Sequence, residues 1–160
     1  METTRHFTAT VYVVADGATA LHEHGRLGIR IPPGGHVDRD ELPHVAAKRE
    51  VREETGLDPT LLDEAPDVPA PDGRALPTPR YQMCYDINVH EDGSVGHQHI
   101  DHVYFATVRS RDIDPGPGEA PRDAWAWYAP EDLQDSDLDA DTVQLALEAI
   151  EAAENAQHSG

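Results

Sequence analysis

The 160-residue chain predicts an α/β fold of the α+β kind: a mixed central sheet, with one helix from mid-chain and one from the C-terminal end on its faces. Three observations lead there. Apolar residues recur with a period of two in short runs set off by Gly- and Pro-bearing turns, the signature of strands. Residues 43–55 form a run with no interior breaker, between Pro43, suited to a first helical turn, and Gly56, suited to the left-handed residue that ends a helix. Near the end, Val143, Ala146, Leu147 and Ile150 make an i, i+3, i+4, i+7 stripe.

Residues 7–14 alternate threonine with apolar side chains and close on Val11-Tyr12-Val13-Val14, a strand covered on both faces at its far end. Asp16-Gly17 is a turn, and residues 18–22 restart a strand, giving a hairpin. Residues 25–28 are a second turn before a short extended piece through Ile29 and Ile31. Pro32-Pro33-Gly34-Gly35 excludes helix and central strand. It reads as a stiff loop whose glycines let backbone approach a ligand or metal. Asp58-Pro59 stops the helix, and residues 60–62 form a short strand.

Five prolines mark residues 63–80 as a loop, read as an insertion near the mouth of the site. In residues 81–90, Tyr81, Met83, Tyr85, Ile87 and Val89 point to the core, and Gln82, Cys84, Asp86, Asn88 and His90 point away. Glu91-Asp92-Gly93 turns the chain into a strand over 99–108. A Pro/Gly-rich loop (115–121) leads to a strand at 124–128, where Trp125 and Trp127 share a face suited to packing. In the last helix Asp141 is the expected cap, with Gln144 in the reciprocal position. A frayed tail is expected over 154–160. One domain over 1–160 accommodates everything, with no repeat.

The chemistry concentrates on the first helix. Glu50, Glu53 and Glu54 stand at i, i+3 and i+4, within one arc of about 100°. Like charges so placed repel by a few tenths of a kcal/mol per pair unless a cation lies between them. Ala46 and Ala47 flank the arc and leave room for a ligand, while Val45, Lys48 and Arg52 opposite make a poor apolar stripe. Three carboxylates beside a glycine-rich backbone suit a hard divalent cation, Mg²⁺ or Mn²⁺.

The full spacing is Gly35, five residues, Glu41, seven residues, then Arg49-Glu50-Val51-Arg52-Glu53-Glu54-Thr55-Gly56-Leu57. It resembles the Nudix box at every defined position. The resemblance implies a Nudix-type sandwich and Mg²⁺-dependent hydrolysis of a nucleoside diphosphate linked to another group, by attack of water on phosphorus. It implies metal ligation by Glu50, Glu53, Glu54 and the Gly35 carbonyl. Arg49 becomes an orienting residue of the catalytic set with Glu53 and Glu50, and Glu41 and Gly56 become structural. Glu53 and Glu50 lead as general base, with Glu91, Asp101 and Glu119 as candidates outside the box. Similarity extends to Gly34-Gly35-His36-Val37 and His97-Gln98-His99-Ile100-Asp101, a pairing seen in one group of Nudix members.

Ten histidines are many for this length. His36, His99 and Asp101 are the candidate substrate-binding residues, and His97 and His90 could join them. The two His-x-His pairs, at 22/24 and 97/99, also raise a second, softer metal site. Against that stands the plainer reading, that histidines at alternate strand positions share a face and bond to neighbours or water.

Composition sets the partners. Thirty-one acidic against twelve basic residues give a formal charge of −19, which repels nucleic acids and anionic membranes and requires cations before an anionic substrate can bind. Asp outnumbers Glu by 18 to 13, and Lys48 is the single lysine. This resembles the proteins of salt-rich cytoplasm, a halophilic composition. Cys84 stands alone, reads as a packing residue, and fits a reducing cytosol. No signal peptide and no membrane span are expected. The expected partner is a small anionic nucleotide-type substrate, and a homodimer is the one assembly left open. Two other functions compete: a nucleotide-sensing Nudix domain that does not cleave, and an enzyme like isopentenyl-diphosphate isomerase. The latter requires a cysteine in the loop before the helix, where residues 32–36 offer none.

Overall fold

A computed structural model describes residues 2–24 and 28–158. The chain runs β1 (Thr4–Ala15), β2 (Ala18–His24), β3 (Ile29–Ile31), β4 (Gly34–His36), α1 (Pro43–Thr55), β5 (Thr60–Leu61), β6 (Tyr81–Val89) and β7 (Val95–Thr107). A 3₁₀ turn at Arg122–Ala124, β8 (Trp125–Tyr128), α2 (Pro130–Gln134) and α3 (Ala140–His158) complete it. One mixed sheet takes the order β3-β2-β1-β7-β5, with β4 added to β1, β6 to β7 and β8 to β2. α1 and α3 cover its opposite faces, the predicted sandwich.

β1 and β7 form the spine, paired in parallel from Thr4↔His97 to Val14↔Thr107. Alternate side chains of both strands therefore reach opposite cores. Ala9, Val11 and Val13 with Tyr104 and Ala106 pack toward α1, whereas Tyr12 and Val14 with Val103 and Phe105 pack toward α3. The Asp16-Gly17 hairpin is as expected, both residues having positive φ (49° and 78°), the geometry of a type I′ turn. Of the second expected turn, residues 25–27 lie outside the described residues.

β1 and β2 pair at Val14↔Thr19 and Ala15↔Ala18, after which β2 turns to β3 and β8. That divergence leaves the outer edge of β1 free, and Gly34-Gly35-His36 fills it: Thr8↔His36, Ala9↔Gly35, Thr10↔Gly34. The stretch read as a loop is thus a short strand at its glycine end. A Cβ on Gly34 would lie 2.5 Å from the Ala9 carbonyl oxygen, so glycine is what lets the strand seat.

α1 has the predicted limits, with Pro43 in its first turn and Gly56 at φ 72° accepting the left-handed cap. Its alanines serve differently from the expectation. Ala46, Ala47, Val51 and Thr55 are buried against the sheet, so small side chains bring helix and sheet together rather than clearing space for a ligand. On β6 the alternation holds through Tyr85. Ile87 and Val89 are exposed, where the register shifts between Asp86 and Asn88, and Cys84 is exposed rather than packed.

β7 starts four residues before the expected 99. Trp125 and Trp127 pack against the α1-side core. α3 buries Leu145, Ala146, Ala149, Ile150 and Ala153, with Val143 and Leu147 only flanking, so the stripe is turned from the predicted one. Its first described bond runs from Val143 N–H to the Asp139 carbonyl, and Asp141 instead accepts from the Tyr85 hydroxyl at 2.8 Å. Gln144 donates to Glu148, and the helix continues through His158 beyond the expected end at Ala153. No helix of the described residues is long and apolar enough to cross a membrane.

Candidate active site

Arg49 organises the acidic face of α1. Its guanidinium donates to both Glu41 oxygens (2.6 and 2.8 Å), to Glu50 (3.0 Å), to Glu53 (3.2 Å) and to the His36 carbonyl (3.1 Å). Glu41 also accepts the Asp38 N–H, so it ties the approach to the helix to the arginine. The Arg49 hydrogen bonds hold the Glu41 carboxyl below its usual range.

The three box glutamates differ. Glu53 is half-exposed, at 49 % of its side chain, whereas Glu50 is 15 % exposed. Burial pushes the Glu50 carboxyl up, against the pull of Arg49. Glu54 accepts the Gly34 N–H at 2.8 Å, and burial, with Glu50 and Glu119 also nearby, pushes its carboxyl up to about 8. A Cβ on Gly35 would lie 2.5 Å from Glu50 Oε1. Glycine there lets the strand β4 and the Glu50 carboxylate close on one another. Among the described residues, no three or more histidine, cysteine, aspartate or glutamate side chains are already arranged to hold a metal.

Glu119 was legible only as one of several outside candidates. The 115–121 loop brings it in, because Gly116 N–H donates to the Glu53 carbonyl (2.8 Å) and Asp114 N–H to that of Thr55 (2.8 Å). A Cβ on Gly116 would lie 2.9 Å from that Glu53 oxygen. Glu119 and Glu54 consequently border one small cavity with His22 and Trp125. Glu91 sits in the β6–β7 turn and lines neither this cavity nor the larger one below.

The larger cavity, of about 530 Å³, opens where β1 and β2 part. Glu54, Gly34, Gly35 and His36 form its box side; Thr8, Thr10, Tyr12, His22 and His24 line the fork; Tyr85, His99, Asp101 and Asp141 lie across from them. His36, His99 and Asp101 are thus brought together. His97 and His90 do not line it, and neither does any residue of the 63–80 loop, expected at the mouth. Among the described residues lining it there is no lysine or arginine. Asp101, 5 % exposed, takes hydroxyl hydrogens from Thr8 (2.9 Å) and Thr10 (2.8 Å), and burial raises its proton affinity. Burial lowers that of His99, helped by His36, His97 and His6.

A family model described as the NUDIX domain matches residues 4–148. A solved hydrolase of the NUDIX family from Clostridium perfringens shares 31 % identity over 94 % of this chain and 99 % of its own, with a TM-score of 0.77. A MutT NUDIX hydrolase from Burkholderia pseudomallei (24 % identity, 91 % and 98 % covered, TM-score 0.56) shares the fold. So does an Ap4A hydrolase from C. elegans (18 % identity, 96 % and 98 % covered, TM-score 0.56). No curated protein matches the chain.

Proposed function

The chain belongs to the NUDIX family, and on that premise we propose that it hydrolyses a pyrophosphate bond in a nucleoside diphosphate linked to another group. The observation that carries the reading is the Glu50, Glu53 and Glu54 set, braced by Arg49 and Glu41 and closed over Gly35. These residues fit a hard divalent cation. Glu54 is a half-buried carboxylate with one N–H and, among the described residues, no cationic side chain bonded to it, and Gly35 is a cradle that any Cβ would fill.

Glu50, Glu53, Glu54 and the Gly35 carbonyl would hold Mg²⁺ or Mn²⁺. When bound, such an ion neutralises a pyrophosphate and activates its phosphorus toward water. The chain supplies the rest. Arg49 fixes the carboxylates of Glu50 and Glu53, and Glu53, the more exposed, takes the proton of the attacking water, with Glu50 and then Glu119 as the alternatives. His36, His99 and Asp101 contact the group beyond the phosphates. With no lysine or arginine among the described cavity residues, the phosphates rely on the metal for their countercharge.

The test is a panel of nucleoside triphosphates, sugar nucleotides and dinucleotides with Mg²⁺ and Mn²⁺ in molar KCl. Dinucleotides belong in it because of the Ap4A hydrolase among the fold neighbours. Glu53→Gln should lower kcat by about 10²–10⁴-fold, the range for loss of a general base, with its circular dichroism unchanged. Undiminished turnover in that variant refutes the assignment. Tight nucleotide binding without product would favour the sensing domain instead. An isomerase is disfavoured because Cys84 lies exposed on β6 and does not line the cavity.

A further inference from the structure

Four histidines form a group of which the hydrolytic reading uses only His36 and His99, as contacts to the group beyond the phosphates: His6 on β1, His36 on β4, and His97 and His99 on β7. The register Thr4↔His97, His6↔His99 and Thr8↔His36 puts all four on one face of the sheet. Their rings close a circuit. Centroids lie 5.5 Å apart for His6 and His36, 5.0 Å for His36 and His99, 5.2 Å for His97 and His99, and 4.6 Å for His6 and His97. Four imidazoles bound tetrahedrally to one ion, with metal–nitrogen distances of about 2.0–2.1 Å, have all six pairs of ring centres roughly 5 Å apart, a separation that the four neighbouring pairs already have.

A second observation concerns tautomer. The Thr4 hydroxyl donates to the Gly96 carbonyl (3.2 Å) and lies 2.7 Å from His97 Nδ1. When that hydrogen is on the Gly96 carbonyl, the oxygen is an acceptor for Nδ1–H, the tautomer that leaves the His97 Nε2 lone pair free. Metal-binding imidazoles are buttressed in this way through their other nitrogen. His6 and His36 are exposed, so the circuit is open to solvent.

We propose that His6, His36, His97 and His99 form a second metal site, distinct from the box carboxylates, for an imidazole-seeking divalent ion of the Zn²⁺ or Ni²⁺ class in preference to Mg²⁺. In the rotamers described no three of these side chains are arranged to hold an ion. Binding turns the rings about their Cβ–Cγ bonds, on strands whose spacing is already suitable. An ion held there ties β4, which carries Gly34 and Gly35, to both spine strands at once.

The test uses tag-free, chelator-stripped protein in KCl with excess Mg²⁺, titrated calorimetrically with Zn²⁺ and with Ni²⁺. One equivalent should bind with Kd of about 10 µM or tighter. His97→Ala and His6→Ala, each checked for folding by circular dichroism, should each weaken it by about tenfold or more. Glu53→Gln should leave it unchanged. Weaker binding by the parent, full affinity in both folded histidine variants, or loss in Glu53→Gln would each overturn the proposal. Hydrolysis with Mg²⁺ is measured separately, so failure here leaves that reading standing.

Discussion

Arg49→Ala is the perturbation with the most calculable result. It removes five hydrogen bonds and leaves Glu41, Glu50 and Glu53 without their shared cation. The two to Glu41 matter most, because that side chain is only 13 % exposed. Hydrogen bonds to charged groups contribute about 1.5–3 kcal/mol each, and bonds within one network do not add. The contact to half-exposed Glu53 adds at most about 1 kcal/mol. The expected loss is about 3 kcal/mol, or roughly 6–12 °C in Tm for a chain of this size. Arg49→Lys keeps the charge without the planar fork and should lose about half as much. The sign with pH follows from Glu41. Its folded carboxyl lies below the ordinary 4.5, so the stabilisation is complete above 4.5 and disappears as pH falls through the lower folded value. Calorimetric melts at pH 7 and well below pH 4.5 should therefore show the gap between parent and variant closing in acid. A Tm shift under about 2 °C at neutral pH, or a gap that widens in acid, refutes the reasoning.

Three further outcomes are expected. Gly35→Ala meets the far end of the Glu50 side chain, which can swing away, so stability should fall by under about 1 kcal/mol while kcat drops roughly 10²-fold; melts and turnover on one preparation separate the two, and unchanged turnover contradicts the role given to Glu50. Glu54 carries a folded value of about 8, above its ordinary 4.5, so in chelator its contribution is complete below 4.5 and is lost as pH rises toward 8. The stability of Glu54→Gln relative to the parent should accordingly rise over that window and Mg²⁺ should reverse the difference; parallel profiles would contradict it. Finally, a charge of −19 screened at about 3 Å in 1 M salt should give Tm and activity that rise with molar KCl, and full stability in dilute buffer argues against a halophilic protein.

What could be read from the chain depended on whether the cause was local. α1 was legible to the residue because Pro43 and Gly56 act through their own backbone restrictions. The Arg49 to Glu53 pairing followed from helical spacing, and Glu41 from the motif. β4 was not legible, since Gly34-Gly35-His36 has no strand preference. What makes it a strand is the edge of β1 left free by the departure of β2. The α3 stripe was misplaced because an alanine-rich helix offers more than one small apolar face, and Asp141 was drawn from capping by the Tyr85 hydroxyl. Glu119 reaches the box through loop backbone bonds that leave no pattern in composition. His6 joined His36 and His99 only once β1 and β7 proved to be parallel neighbours.

That parallel pairing also constrains how the protein is made. Each rung of the β1–β7 ladder joins residues 93 positions apart, Thr4 with His97 and Val14 with Thr107. Closing such a loop costs roughly 2 kcal/mol more entropy than closing one of about ten residues, so this topology has high contact order and folds late. On the ribosome the β1–β2 hairpin and α1 emerge long before the strand that completes their platform. The carboxylate-bearing helix must wait for a ladder that contains none of those carboxylates, and the chain's own negative charge is what keeps waiting copies apart.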